Sequence, residues 1–276
     1  MNDGNYIWHP FTQMKTAGTP VHIVKGEGAL LYDINGKTYI DAISSWWTNL
    51  HGHAHPYIAQ KIYEQALQLE HVIFAGFTHT PALELAKRLI ENHLPANQQK
   101  IFFSDNGSTA VEVAIKMALQ FWYNCGSHRK KIIAFANAYH GDTFGSMSVS
   151  GRSAFTQPFN HALFDVVHIP APYPGDERNA LEKMEETIDT HTDIAAFIYE
   201  PLVQGAAGMR MYAPAHLDTL IALAKSQNII TIADEVMTGF YRTGKMFAIN
   251  HCRHVPDILC LSKGLTGGAM ALGITA

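Results

Sequence analysis

The stretch IITIADEVMTGFYRTGK, residues 229–245, is the most informative part of the sequence for the fold. It opens with a short apolar run that ends on the two carboxylates Asp234 and Glu235. Such a run is typical of a strand in a buried parallel sheet. Ionised carboxylates are costly in that position unless they face a cation or a hydrogen-bond donor. The stretch therefore predicts a buried strand with a functional group at its carboxyl end.

Further short apolar runs alternate with helical patterns on both sides of this stretch. The strand candidates are residues 100–105, 131–137, 165–170, 194–201, 229–236 and 257–263. This alternation predicts an α/β fold with a mostly parallel sheet flanked by helices. Ligands of such sheets gather outside the carboxyl ends of the strands, so residues far apart in sequence can face one crevice. We expect this of Asp105, Glu200, Asp234 and Lys263.

The beginning of the chain has a different pattern. The segment GALLYDINGKTYIDA, residues 28–42, predicts a β-hairpin, because Asn35-Gly36 offers the positive φ of a tight turn between two alternating runs. From Pro56 onward the sequence changes to amphipathic helices. Residues 1–55 are therefore interpreted as a small β element that precedes the α/β region.

Composition excludes several classes of protein. With 276 residues, of which 47% are hydrophobic, the chain can bury a substantial core. A net charge of -4 without a basic run disfavours nucleic acid as a partner. No signal peptide and no membrane span are recognisable, so we expect a cytoplasmic protein. The three scattered cysteines, Cys125, Cys252 and Cys260, argue against a disulfide framework.

Two segments that follow predicted strands could hold a ligand. Asn106-Gly107-Ser108-Thr109 leads into a helix, where free backbone N–H groups make an anion site. A simple helix cap is the alternative for these residues alone. Tyr139 and His140 follow another strand and precede a glycine, where an aromatic ring can cover a planar ligand. A core tyrosine is the alternative there.

Lys263 follows the last predicted strand and precedes the glycine-rich turn GLTGG. Partial burial in this position would lower its pKa and favour the free amine that attacks a carbonyl group. A carboxylate such as Asp234 could keep a pyridine nitrogen protonated, which makes the ring an electron sink. These two residues are the predicted catalytic pair.

Three motifs, DEVMTGFYRTGK (234–245), LSKGLTGG (261–268) and YEPLVQG (199–205), resemble those of class III aminotransferases, which are fold-type I pyridoxal-5′-phosphate (PLP) enzymes. The resemblance covers essentially the whole chain. It implies PLP as the cofactor, a homodimer, and a large PLP-binding domain at residues 56–276 with residues 1–55 contributing to a smaller α+β domain.

The resemblance also implies roles for single residues. Lys263 would form the Schiff base with PLP and carry the proton, and Asp234 would bond the ring nitrogen. The remaining cofactor-binding residues would be Gly107 and Ser108 at the phosphate and Tyr139 and Val236 on opposite faces of the ring. Glu200 and Gln204 would support the site from further out.

The N-terminal half is similar to one branch of this family. The segments WHPFTQM (8–14), SSWWTNLHGHAHP (44–56) and YHGDTFGSMSVSG (139–151) carry that similarity. This branch aminates 8-amino-7-oxononanoate to 7,8-diaminononanoate in biotin biosynthesis, with S-adenosyl-L-methionine as the amino donor. The similarity implies that the substrate contacts are Trp47, Tyr139, Lys263 and Phe11.

Two residues depart from the pattern of this branch. Phe11 stands where many similar enzymes have a tyrosine that helps to recognise substrate, so lysine remains open as the donor. Tyr241 stands where the family usually has glycine, and we expect that change to be tolerated locally.

Alternatives to this function remain open. The chain could be another class III aminotransferase acting on ornithine, a diamine or a γ-amino acid, or an inactive fragment of such an enzyme. A dehydrogenase is disfavoured, because no G-x-G-x-x-G motif follows the first strand. His51, His53 and His55 could bind a metal if they lay on a strand, but no carboxylate or thiol neighbour completes a site, so we expect no metal.

The end of the sequence, KGLTGGAMALGITA, is apolar and glycine-rich without a capping pattern, like a cut through a fold. We expect the large domain to lack its closing strand or helices, the arginine that takes the substrate carboxylate and the phosphate contact from the partner subunit. Expressed alone, the 276-residue chain should then have little or no transaminase activity.

Overall fold

The computed structural model describes residues 6–276, and the chain divides into two units with a boundary between Glu70 and His71. The first unit contains the antiparallel sheet β1-β2-β3. Its strands are β1 (Ile23–Glu27), β2 (Leu30–Asp33) and β3 (Thr38–Ile40), followed by the short helix α1 (Ser44–Trp47) and by α2 (Pro56–Ala66). This unit therefore extends beyond the predicted small β element at residues 1–55 to include α2.

The predicted hairpin is confirmed as β2 and β3. Its turn is closed by a hydrogen bond from the Gly36 amide to the Asp33 carbonyl at 2.9 Å. Gly36 has a φ of 81°, which a glycine adopts at little cost, whereas Asn35 has no positive φ. The turn thus uses the conformational freedom of Gly36 alone.

The second unit is built around a seven-stranded sheet with the order β4-β12-β11-β10-β7-β5-β6. The strands are β4 (Phe102–Ser104), β5 (Lys131–Phe135), β6 (Val166–Ile169), β7 (Ile194–Tyr199), β10 (Ile230–Asp234), β11 (Ile258–Leu261) and β12 (Gly273–Thr275). A separate two-stranded ribbon pairs β8 (Val203–Gln204) with β9 (Arg210–Met211). All six predicted strands are present, and the predicted mostly parallel sheet is confirmed.

Helices cover both faces of this sheet. They are α3 (Thr80–Asn92), α4 (Gly107–Asn124), α5 (Phe144–Val149), α6 (Glu177–Thr190) and α7 (Pro214–Ser226). Alternate residues of β5 enter different cores: Ile132 packs with the α4 side and Ile133 with the α6 and α7 side. The strands are apolar on both faces because both faces are buried.

The strand β12 was not predicted. It lies antiparallel between β4 and β11, in the segment that follows Lys263. Its three residues are too few for a periodic pattern, and only pairing with two neighbours makes them a strand. The hydroxyl of Thr275 donates to the Ala110 carbonyl of α4 at 2.8 Å, which joins the strand to that helix.

Within residues 6–276, no helix combines the length and the apolar character needed to cross a membrane.

Gly273→Ala tests the close packing of β12. A Cβ at residue 273 would lie 2.2 Å from the backbone oxygen of Asn106, so the start of α4 would have to move. We expect a loss of about 1–3 kcal/mol in the free energy of unfolding, measured by urea denaturation. Gly18→Ala is the control, because a Cβ there meets nothing within 4 Å. Equal stability of the two variants would contradict the packing argument.

Candidate active site

Three of the four predicted crevice residues come together at the carboxyl edge of the sheet. Glu200 directly follows β7, Asp234 ends β10 and Lys263 follows β11, and these three strands are neighbours. Burial lowers the pKa of Lys263, while the charges of Asp234 and Glu200 oppose that change. An amine with a lowered pKa loses its proton more readily, as a general base must.

Asp105 does not join this group. It follows the edge strand β4, which is separated from β11 by the unpredicted β12, and its side chain is exposed. Its exposure sets Asp105 apart from the buried Glu200 and Asp234.

Asp234 is a buried carboxylate held by two donors. One oxygen accepts from the Val236 amide at 3.0 Å, and the other lies 2.7 Å from His140 Nδ1. The His140 side chain is completely buried, and its own amide donates to Ser150 Oγ at 2.9 Å. Both carboxyl oxygens of Asp234 therefore have a hydrogen-bond partner away from water.

His140 is the functional residue that the sequence analysis left without a role. The only sequence signal was its position between a strand and a glycine. Its ring nitrogen Nε2 is buried without a hydrogen-bond partner among residues 6–276. The imidazole ring of His140 thus orients Asp234 through Nδ1, while Nε2 stays buried.

Tyr139 stands beside His140 and is fixed at both ends. Its amide donates to Glu200 Oε2 at 3.1 Å, and its hydroxyl donates to Asp142 Oδ2 at 2.8 Å. Burial, reinforced by Asp142, raises the pKa of Tyr139 well above its usual value, so the hydroxyl stays protonated. The ring remains 38% exposed and can therefore touch a ligand.

Two further glutamates are buried near Asp234. Burial raises the pKa of Glu200 and of Glu235 to about 7. Glu200 accepts from the amides of Tyr139 and Gly205, whereas Glu235 accepts from the amides of Ala248 and Ile249. Glu235 thus anchors the chain after β10, and Glu200 anchors the loop that carries Tyr139.

Gln204, the other predicted supporting residue, is completely buried on β8. It accepts a hydrogen bond from the Tyr173 hydroxyl, and its amide nitrogen donates to the Ala136 carbonyl at 3.4 Å. These contacts hold the chain that leaves β5 just before Tyr139. Gln204 therefore acts on the loop through the backbone.

The start of α4 offers donors for an anionic group. Asn106 caps the helix by accepting from the Thr109 amide at 3.0 Å, and the first bond within the helix runs from Ala110 to Asn106. The amides of Gly107 and Ser108 precede that bond and point out of the helix end. This is the arrangement that binds phosphate at helix N-termini.

Close contacts join this helix end to its neighbours. A Cβ at Gly107 would lie 2.6 Å from Val236 Cγ1, and a Cβ at Gly141 would lie 2.3 Å from Ser108 Oγ. Ser108 Oγ accepts from the Thr143 amide at 3.0 Å. The helix start, the loop after β5 and the chain after β10 therefore meet at Gly107 and Ser108.

Lys263 begins a 3-10 turn that spans Lys263–Thr266. Its φ of 45° is a left-handed value, which is costly for a residue with a side chain and is typical of functional positions. The preceding Ser262 donates its hydroxyl to the Leu272 carbonyl at 2.7 Å, which ties the turn to the chain before β12.

The two other predicted substrate contacts belong to the first unit. Trp47 is half-buried, with a φ of 65°. The ring of Phe11 packs edge-on against that of Trp46, with 5.7 Å between centroids. His53 pairs with Gly28 in a single β-bridge, and His51 and His55 lie in loop. No cluster of three potential metal ligands exists in the described part of the chain.

Comparison with known proteins identifies similar enzymes. The family model described as aminotransferase class-III matches residues 12–276. The adenosylmethionine-8-amino-7-oxononanoate aminotransferase of Synechococcus elongatus is 52% identical over 98% of this chain and 65% of its own length. The Staphylococcus aureus protein of the same name is 40% identical over 99% of this chain and 64% of its own length.

Solved structures of similar enzymes superpose closely on this chain. The adenosylmethionine-8-amino-7-oxononanoate aminotransferase of Methanocaldococcus jannaschii superposes with a TM-score of 0.93 at 40% identity, covering 99% of this chain and 63% of that one. The omega transaminase of Pseudomonas jessenii in complex with PMP superposes with a TM-score of 0.92 at 30% identity, covering 99% of this chain and 64% of that one. The chain thus spans less than two thirds of the length of these relatives.

Glu200→Gln should flatten the dependence of stability on pH. The raised pKa, about 7 against an ordinary 4.5, means that the folded chain binds this proton more tightly than the unfolded chain. The stability from Glu200 is therefore full below the ordinary pKa and is lost as pH rises towards 7. One pKa unit is worth about 1.4 kcal/mol, so we expect a wild-type loss of about 1–3 kcal/mol that the variant lacks.

Urea unfolding of the cofactor-free protein at about pH 5 and about pH 7.5 measures this difference. Glu186→Gln, at an exposed ion pair with Lys183, is the control and should leave the wild-type profile unchanged. A profile of Glu200→Gln that parallels the wild type would show that Glu200 is ionised throughout this range.

Proposed function

Because the chain belongs to the class III aminotransferase family, we propose that the whole protein is a PLP-dependent aminotransferase of biotin biosynthesis. It converts 8-amino-7-oxononanoate to 7,8-diaminononanoate, with S-adenosyl-L-methionine as the amino donor. The observation that carries this proposal is 52% identity to the Synechococcus enzyme of that name over 98% of this chain. We also propose that the protein works as a homodimer in the cytoplasm.

The residues of the second unit fit PLP. Gly107 and Gly141 lack the Cβ atoms that would fill the space beside Val236 and Ser108, and the first amides of α4 suit a phosphate. Asp234, with both carboxyl oxygens hydrogen-bonded and its side chain buried, suits a ring nitrogen. In this proposal Gly107 and Ser108 hold the phosphate, and Val236 and Tyr139 pack on the two faces of the ring.

When bound, PLP supplies an aldehyde that accepts an amino group and a ring that withdraws electrons. Asp234 keeps the ring nitrogen protonated, and His140 keeps Asp234 oriented through the 2.7 Å contact at Nδ1. The burial of this pair excludes water, which strengthens the electrostatic interaction. His140 is therefore a positioning residue for Asp234.

Lys263 would hold the cofactor covalently through Nζ and, once the donor amine displaces it, would be the general base. Burial lowers the pKa of Lys263, so a larger fraction of the amine is neutral and able to take a proton. The same Nζ would take the proton from the donor carbon and pass it to the cofactor carbon that receives the amino group. Asp234 and Glu200 stabilise the ammonium that exists between these two steps.

Substrate recognition is assigned to Trp47, Tyr139 and Phe11. Aromatic faces suit the aliphatic chain of 8-amino-7-oxononanoate. The Tyr139 hydroxyl is already directed to Asp142, so its ring is held in one orientation. Phe11 lacks the hydroxyl of the tyrosine that many similar enzymes have at this position. Because that tyrosine helps to recognise substrate, its replacement makes lysine the second candidate for the amino donor.

Lys263→Ala tests the assignment of the cofactor lysine. In the complete gene product, the variant should retain PLP through the phosphate contacts but lose transamination by about 10³-fold or more, since it lacks both the covalent link and the base. Borohydride reduction followed by peptide mapping should label Lys263 in the wild type. Lys245, which donates to the Asn250 carbonyl at the surface, is the control for Lys→Ala replacement. Label on another lysine would falsify the assignment.

Phe11→Tyr tests the choice of amino donor. The added hydroxyl should favour S-adenosyl-L-methionine over lysine by about tenfold or more, because an unpaired polar group in a binding pocket costs about 1–3 kcal/mol. The readout is the donor half-reaction, in which each donor is mixed separately with the PLP-loaded protein and the visible absorbance is followed. Phe77→Tyr, at a ring that is 62% exposed, is the control. An unchanged donor ratio in Phe11→Tyr would remove Phe11 from donor recognition.

A further inference from the structure

The segment that carries Trp47 has an unusual backbone. Four successive residues, Ser44–Trp47, have φ values of 50°, 48°, 61° and 65°. This is the left-handed region, which costs free energy for every residue except glycine. Such strain persists only where surrounding contacts determine the conformation, and it is concentrated at functional sites.

The carboxylate of Asp41 makes two hydrogen bonds to this segment, both to Ser45. One oxygen accepts from the Ser45 amide at 2.9 Å, and the other accepts from the Ser45 hydroxyl at 2.7 Å. The Asp41 side chain is only 6% exposed. Burial by itself would raise the pKa of Asp41, but hydrogen bonds from Ser45 and His53 outweigh it and lower the pKa, so Asp41 is ionised.

His53 connects Asp41 to the sheet of the first unit. Its Nε2 lies 2.8 Å from Asp41 Oδ2, and its Nδ1 lies 2.9 Å from the side-chain amide nitrogen of Asn49. Because an amide NH₂ only donates, Nδ1 accepts and Nε2 donates to Asp41. The backbone of His53 pairs with Gly28, next to β1.

Glycine at residue 26 makes room for this histidine. A Cβ at residue 26 would lie 2.6 Å from the Cβ of His53, so the strand and the histidine are packed without a gap. A continuous set of contacts therefore runs from β1 through His53 and Asp41 to Ser45. Ser45 is two residues before Trp47.

We propose that Asp41 is a positioning residue, which holds Ser44–Trp47 in the left-handed conformation and thereby sets the affinity for the keto substrate through Trp47. This inference rests on the substrate contact proposed for Trp47. It explains how a strained segment without glycine is kept in one conformation.

Asp41→Asn in the complete gene product is the main test. Asparagine has the same shape, but one of its two terminal atoms donates and cannot accept from Ser45 or His53. We expect the KM for 8-amino-7-oxononanoate to rise about fivefold or more, with kcat and the donor half-reaction changed less than about twofold. The near-ultraviolet circular dichroism of the tryptophans should also change.

Asp33→Asn is the matched control. Asp33 lies in the same unit, is 8% exposed and also accepts three hydrogen bonds, from Asn35, Lys37 and the Tyr39 hydroxyl. Its bonds stabilise the hairpin turn and not the Trp47 segment. This variant should keep both the wild-type KM and the wild-type dichroism.

Ser45→Ala removes only the hydroxyl contact and decides the question if Asp41→Asn does not fold. It should raise the KM in the same direction by a smaller factor. Equal KM values for the Asp41 and Asp33 variants, or unchanged dichroism in Ser45→Ala and Asp41→Asn, would overturn the proposal. Trp47→Ala tests the substrate contact separately from the role of Asp41. An unchanged KM in Trp47→Ala would show that Trp47 does not contact the keto substrate. The dichroism alone would then decide whether Asp41 holds Ser44–Trp47.

Discussion

A carboxylate buried at the end of the central strand is the constraint on which the candidate active site depends. β10 has three strands on each side, so the charge of Asp234 is far from bulk water and needs donors from the protein. One donor, the Val236 amide, is local. The other, His140, lies 94 residues earlier in the chain, in the loop that follows β5. The need to satisfy Asp234 therefore determines where that loop lies.

The same loop connects the other parts of the site. Tyr139 precedes His140 and is held by Glu200, while Gly141 and Thr143 pack against Ser108 at the start of α4. This loop thus positions the ring of Tyr139, the histidine that contacts Asp234, and Thr143 beside the start of α4. A shift of this loop would affect all three together, so the groups that would bind the ring and the phosphate of PLP share one support.

Much of the second unit follows from the sequence, because its strands are short apolar runs with a polar residue at the carboxyl end. That pattern is local, and it located all six predicted strands together with the helix that begins at Gly107. Parallel strands place their carboxyl ends at one edge, which predicts that Glu200, Asp234 and Lys263 lie together. The roles of these residues came from motif resemblance, since periodicity carries no chemical information.

The sequence by itself determined the periodic elements and the residue types at the strand ends, since both depend on neighbours along the chain. Only the tertiary structure decided the insertion of β12 between β4 and β11 and the pairing of His140 with Asp234. It also decided the left-handed conformation of Ser44–Trp47, which no local preference favours. These features depend on contacts between residues far apart in sequence, or on strain that such contacts hold in place.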